Sequence, residues 1–284
     1  MINKKDVFIG CDATYEQANI VMFGADFDGT VSYRPGARFG PYHIRKASYG
    51  LESYSMALER DLRELSIFDA ADLECVMGDV AKAHKQIYDF TKKVVADKKT
   101  PMMIGGEHSC TYPSFKAVFE TYPDLMMIQI DAHADLREDY LGLKESHASV
   151  MHRVTCLADN NLKQIGIRSS TQAEHDYMKK NDTLLKTKDE IMSFVKQLND
   201  QPVYISLDLD VLDPSLFCGT GTPEPNGFSF DYLMEILNIL FKANVIAMDV
   251  MECAPDYDSS QVSSVVGAKV VREMLLLCGG RNGK

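Results

Sequence analysis

Short apolar runs alternate along the chain with longer segments of helical period. Residues 19–25, 73–77, 102–104, 125–130, 162–167, 203–207 and 245–250 read as strands, most of them too uniformly apolar to have a wet face. Between them, Ala83, Ile87, Phe90 and Val94 mark one helical stripe, and Leu233, Ile236, Leu237, Leu240 and Phe241 mark another. Helices are also expected near 42–51, 109–122, 147–157, 172–180, 189–198 and 260–277. Gly and Pro make loops of 34–41 and 213–226, and 136–146 is a polar loop. Strand and helix alternating from end to end predict an α/β fold, a parallel sheet with helices on both faces. No repeat, low-complexity segment or linker interrupts it, so 1–284 reads as a single domain.

The polar residues of interest sit where the expected strands stop, the edge at which open α/β sheets carry their sites. The run 125–130 leads into Asp131, His133 and Asp135, whose spacing of two puts them on one face of an extended chain. His108 follows 102–104, and Asp208 and Asp210 follow 203–207. A lone DxHxD segment can be a capped loop, and a lone DxD can cap a helix. Three such ends together are better explained as ligands. These six side chains exceed what one catalytic ion takes from protein, and they fit two divalent ions if two carboxylates bridge. Mixed Asp/His ligation without thiolate favours Mn, with Zn, Co or Fe as alternatives.

Composition narrows the partners. A formal net charge of -11 makes nonspecific nucleic-acid binding a poor fit and suits a small cationic substrate. Hydrophobic residues at 45% supply a sizeable core. Seven scattered cysteines without a CxxC pair read as reduced thiols of a cytoplasmic protein. Residues 1–6 lead into no long apolar run, so neither a secretory leader nor a membrane span is expected.

Four motifs occur in order: Gly105-Gly106-Glu107-His108-Ser109, Asp131-Ala132-His133-Ala134-Asp135, the SLDLDVLDP segment at 206–214, and the DVMECAP segment at 249–255. With them the chain resembles the ureohydrolases (arginases and agmatinases) from about residue 20 to the C-terminus. The RPGARFGP loop at 34–41 and the GTGTPEP loop at 219–225 resemble the agmatinase branch.

The resemblance implies a three-layer αβα fold of the arginase/deacetylase kind, around a mainly parallel sheet of about eight strands. It also implies two Mn2+ ions, one held by His108, Asp131, Asp135 and Asp208 and the other by Asp131, His133, Asp208 and Asp210. The ion pair would activate water for attack on a guanidinium carbon, releasing urea and an amine. Glu252 resembles the carboxylate that pairs with the guanidinium, and His147 resembles the residue that protonates the leaving amine. The family implies a homo-oligomer, trimer or hexamer. By position alone, Glu252 could cap a strand and His147 could be a structural histidine. His43, His84, His152 and His175 belong to no motif and read as surface or helix histidines.

The loop at 136–145 carries no Asn, Ser or Thr, and Thr171 stands where arginases place an amino-binding Asp, so arginine is disfavoured. Agmatine is the expected substrate, giving putrescine and urea, a step of polyamine biosynthesis. Its terminal amine would meet Glu138, Asp139 or Glu145. Guanidinobutyrate, guanidinopropionate or formiminoglutamate is the alternative, favoured if Arg137 or Lys144 faces the pocket. Cys218 and Asn226 depart from the agmatinase pattern at the rim, where Pro and Gly are usual. A two-metal phosphoesterase would need a GNH[DE] segment, which is missing. A one-zinc deacetylase would not need the complete second ligand set. A non-catalytic homologue would have lost ligands.

Overall fold

The strand that sequence pattern misplaces is the edge strand of the sheet. The computed structural model describes residues 7–280, so the expectation about residues 1–6 lies outside the described residues. Its strands are β1 (Ile20–Ala25), a two-stranded antiparallel hairpin β2 (Tyr54–Ser55) and β3 (Arg60–Asp61), then β4 (Ile67–Asp72), β5 (Thr100–Gly105), β6 (Met126–Ile130), β7 (Leu162–Ile165), β8 (Leu184–Leu185), β9 (Pro202–Asp208) and β10 (Asn244–Met251). Eight of these form one sheet in the order β4-β1-β5-β10-β9-β6-β7-β8. Every pairing within it is parallel.

The helices are α1 (Gly40–Ser48), α2 (Val80–Ala96), α3 (Thr111–Phe119), α4 (Val150–Leu157), α5 (Gln172–Lys180), α6 (Lys188–Gln197), α7 (Phe230–Leu240) and α8 (Val262–Gly279). Ile44, Ile191, Leu233 and Val270, from α1, α6, α7 and α8, pack with Met22, Met102 and Ile128 on one face of the sheet. Phe115, Val154 and Met178, from α3, α4 and α5, pack with Met127 and Tyr204 on the other, where α2 adds Ala83 and Ile87 beside Met103. Met102 and Met103 thus enter opposite layers, as the period of a strand demands. This is the expected three-layer αβα arrangement with an eight-stranded parallel sheet. No helix among the described residues is long and apolar enough to cross a membrane.

Local chemistry sets the helix starts. Pro41 sits in the first turn of α1, where its missing N–H costs nothing. Thr171 and Thr187 open α5 and α6 with reciprocal capping boxes to Glu174 and Glu190.

The expected strand at 73–77 is not there; the chain is extended one segment earlier, in β4, and 73–77 is a loop. Asp69 and Asp72 disguise β4 as polar. Arg45 of α1, itself buried, gives Nε and Nη2 to the two Asp69 oxygens at 2.8 and 3.0 Å and Nη1 to Asp72. Asp69 also accepts the Phe8 and Ala71 amides. A β8 of two residues was too short to register as a run.

Removing one member of a buried ion pair leaves the other charge unpaired. Asp69→Ala is therefore expected to destabilise the fold by about 3–5 kcal/mol in urea unfolding, and a loss under about 1 kcal/mol would show that Arg45 is not held this way.

Candidate metal centre

β5, β10, β9 and β6 are consecutive neighbours in the sheet, and each ends in a residue singled out by its sequence. Adjacent strands lie about 4.8 Å apart, so side chains leaving four neighbouring ends converge without further help. His108 follows β5, Glu252 follows β10, Asp208 closes β9 just before Asp210, and Asp131, His133 and Asp135 follow β6.

The six expected ligand residues come together. The Nδ1 of His108 lies 3.0 Å from Asp131, 3.2 Å from Asp208 and 3.3 Å from Asp135. The Nδ1 of His133 lies 2.8 Å from Asp210 and 3.7 Å from Asp131. Ligand atoms of His108, Asp131 and Asp135 form one group within 4.8 Å of one another, and those of Asp131, His133 and Asp210 form a second. Asp131 belongs to both, as a bridging carboxylate would. Asp208 reaches His108 with one oxygen, while the other accepts the Asp210 amide at 2.8 Å.

Asp131, His133 and Asp135 do not share one extended strand. The chain beyond Ile130 is no longer strand, and Asp135 has a positive φ of 52°, in the left-handed region. Its side chain reaches the cluster by a turn rather than by alternation along an extended segment.

Asp131, Asp208, Asp210 and His108 are almost fully buried. Burial, with Asp210 and Asp135 nearby, pushes the Asp131 carboxyl up to about 7. Burial and Asp210 likewise raise Asp208. Burial alone would lower the two imidazoles, but the carboxylates outweigh it: His133 rises to about 11 beside Asp210, and His108 rises beside Asp131, Asp135 and Asp208. Asp210 is held below its usual range, because His133 more than offsets its burial. Yet among the described residues His108 Nδ1 has no well-aligned hydrogen-bond partner. A buried nitrogen facing three carboxylate oxygens with no hydrogen bond is oriented for a cation, so this donor set fits divalent metal.

Residues behind the cluster hold it. Ser206 gives its proton to Asp249 at 2.7 Å, so toward His108 Nε2, at 2.8 Å, it can only accept. Once a metal displaces the Nδ1 proton, the remaining His108 proton is therefore held on Nε2 and the Nδ1 lone pair is free to ligate, the arrangement a metal ligand needs. Tyr204 and Thr111 donate to the other Asp249 oxygen at 2.8 and 2.9 Å. On the other side Gln129 donates to Asp131 at 2.6 Å and to the His133 carbonyl, and accepts from Gln164. Gln129 and Gln164 were not singled out by the sequence, and Asp249 stood in a motif without a role of its own. For Gln129 and Asp249 the signal was a lone polar residue inside an otherwise apolar run, while Gln164 sits beside Lys163 and had none.

Glu252 is buried, and burial together with the nearby Glu107 pushes its carboxyl up to about 8. It has a positive φ of 65°. Its Oε1 accepts the His108 amide at 2.7 Å and its own amide donates to the Gly106 carbonyl at 2.9 Å. Gly106 is needed there, since a Cβ would lie 2.0 Å from the Phe27 carbonyl oxygen. Glu252 and His147 line one pocket with His108, His133, Asp208 and Asp210.

The far wall of that pocket differs from expectation. Glu138 and Asp139 are exposed and Glu145 turns away to His84, 3.1 Å off, so none of the three lines it. Arg137 does line it, with its guanidinium over the Tyr140 ring at 4.7 Å, and Lys144 does not. Glu174 is the carboxylate on this wall, already accepting the Leu136 amide and the Thr171 amide and hydroxyl. His84 lies on α2 as expected but is buried, between Glu145 and Ser109. Cys218 is exposed and Cys253 buried.

Comparison with known proteins agrees with this geometry. The sequence model of the arginase family matches residues 18–277. An agmatinase of Halalkalibacterium halodurans is 40% identical over 277 residues, 95% of this chain and 96% of that protein. An agmatinase of Bacillus subtilis is 38% identical, covering 95% of each. Among solved structures, the agmatine ureohydrolase of Thermoplasma volcanium superposes with a TM-score of 0.86 at 30% identity, over 98% of this chain and 95% of that one. The formimidoylglutamase of Bacillus subtilis reaches 0.83 at 25% identity, over 98% and 94%. A match from residue 18 to residue 277, on a fold that gathers the expected side chains at one sheet edge, places this chain in the arginase family.

Proposed function

We propose that this chain hydrolyses the guanidinium C–N bond of agmatine at a pair of manganese ions, giving putrescine and urea. The observation that carries the reading is the cluster of His108, Asp131, Asp135, Asp208 and Asp210, all buried, and half-buried His133, with a further carboxylate, Glu252, in the same pocket. His108, Asp131, Asp135 and Asp208 would hold one ion, and Asp131, His133, Asp208 and Asp210 the other. When bound, the ions supply a water acidic enough to act as a nucleophile near neutral pH.

The protein's own groups do the rest. Glu252 receives the guanidinium, a planar cation with a fork of donors that suits a carboxylate. Held by the His108 amide, Glu252 sets the substrate carbon beside the ligand cluster. His147, on the pocket wall, hands a proton to the departing amine, which would otherwise leave as a strongly basic anion. A single catalytic domain is supported by the one eight-stranded sheet that runs through the described residues. The thiols of Cys11, Cys75, Cys110, Cys156, Cys218 and Cys253 are free, which supports a reducing, cytoplasmic setting.

Arg137 favours a second reading. A guanidinium on the far wall suits a substrate whose other end is a carboxylate, such as guanidinobutyrate. Urea release from agmatine, guanidinobutyrate and arginine by the manganese-loaded protein decides between them. The proposal expects agmatine to be the best of the three and Arg137→Ala to leave or lower its KM. Guanidinobutyrate as best substrate, with a KM that rises about tenfold in Arg137→Ala, would establish the second reading instead. No urea from any of the three would remove both.

Metal uptake should also depend on pH with a definite sign. Asp131, raised to about 7, and His133, raised to about 11, hold protons that ligation must displace. Affinity for divalent ion is therefore expected to fall as pH drops from about 8 to about 6, with protons released on binding in calorimetry. Affinity independent of pH would contradict this ligand set.

A further inference from the structure

Two residues that the reaction scheme leaves unused stand directly behind His147. The Nδ1 of His147 is 3.3 Å from the hydroxyl oxygen of Thr30. That hydroxyl has one proton and donates it to Glu107 Oε1 at 2.5 Å. Toward everything else it is an acceptor, and it already accepts the His147 amide at 3.1 Å. The imidazole nitrogen facing it is thus called on to donate. Glu107 is fully buried and is fixed in turn: its Oε2 accepts the Thr30 amide at 2.7 Å, and Ser109 donates to its Oε1. On the opposite edge of the ring, Nε2 faces the Ser32 hydroxyl at 3.4 Å, and Ser32 lines the pocket. The Tyr140 ring stands edge-on to the imidazole, with centroids 5.6 Å apart, and closes a third side.

We propose that Thr30, anchored by Glu107, is a positioning residue that keeps resting His147 in the Nδ1–H tautomer, so that Nε2 first takes up a proton from water in the pocket and then hands that proton to the departing amine. The inference rests on the reading of His147 as the proton carrier. A histidine free to choose its tautomer would present an N–H to the pocket part of the time, and in that state it could not take up a proton there. The hydrogen bond from Glu107 through Thr30 removes that choice. It also pins the backbone at His147, so ring and main chain are held by the same oxygen. The Glu of the GGEHS segment and the Thr that closes the segment 26–30 acquire a shared role here.

Nitrogen NMR of histidine-labelled protein, loaded with diamagnetic zinc, reads the tautomer directly. The wild type is expected to show His147 with Nδ1 protonated and Nε2 bare. Thr30→Val should lose this single signature, and in the manganese enzyme kcat should fall about 10- to 100-fold with KM little changed. Thr30→Ser, which keeps the hydroxyl, should restore both. His147→Ala separates the two ideas. If it abolishes turnover while Thr30→Val keeps the wild-type tautomer and rate, the positioning role is wrong and the proton-carrier reading stands. If His147→Ala keeps full turnover, the proton-carrier reading is wrong. A wild-type His147 protonated on Nε2 overturns the inference whether or not Thr30→Val folds.

Discussion

Four carboxylates and two imidazoles share one buried corner of this protein, and the rest of the site follows from the need to balance their charge. Burying an unpaired carboxylate costs several kcal/mol, and like charges held close add to it. Without cations the cluster must keep protons, which is why burial and mutual repulsion push Asp131 and Asp208 up and the carboxylates push His108 and His133 up with them. Two divalent ions would supply the same positive charge without those protons. The fold makes the corner possible, because four adjacent parallel strands deliver their C-terminal ends to it and the backbone needs no special path.

Rigidity around the cluster comes from hydrogen bonds that run one way. Acceptor-only carboxylates sit at the ends of short chains: Asp249 behind Ser206 and His108, Glu107 behind Thr30 and His147. In each chain a hydroxyl commits its single proton to the carboxylate and so dictates what the imidazole must do. The two histidines end up oppositely arranged. His108 keeps its proton on Nε2 and turns Nδ1 toward the ligands, while His147 is asked to keep its proton on Nδ1 and turn Nε2 toward the pocket.

Much of this was legible in the sequence because the signals were local. Uniformly apolar runs mark central strands, and polar residues at their ends mark the site, so β5, β6, β9 and β10 and all six clustered side chains could be read directly. The sequence also carried Glu252 and His147, through motif resemblance rather than pattern. What escaped was non-local. β4 looked polar because its aspartates are neutralised by Arg45, an arginine more than twenty residues earlier in the chain. Gln129, Gln164 and Asp249 matter only through partners that folding brings near. The far wall was misjudged for the same reason. Acidic residues beside a site motif suggested an amine pocket, yet Glu145 pairs with His84 of α2, and Arg137 folds over Tyr140 into the pocket.

The central claim is that this buried charge is balanced by two cations that share Asp131. Metal content of the purified protein, measured by plasma mass spectrometry after loading and desalting, tests it most directly. Two divalent ions per chain are expected, falling to none in Asp131→Asn, because that carboxylate belongs to both ligand groups. One ion or none in the wild type, or two ions retained by Asp131→Asn, would contradict it.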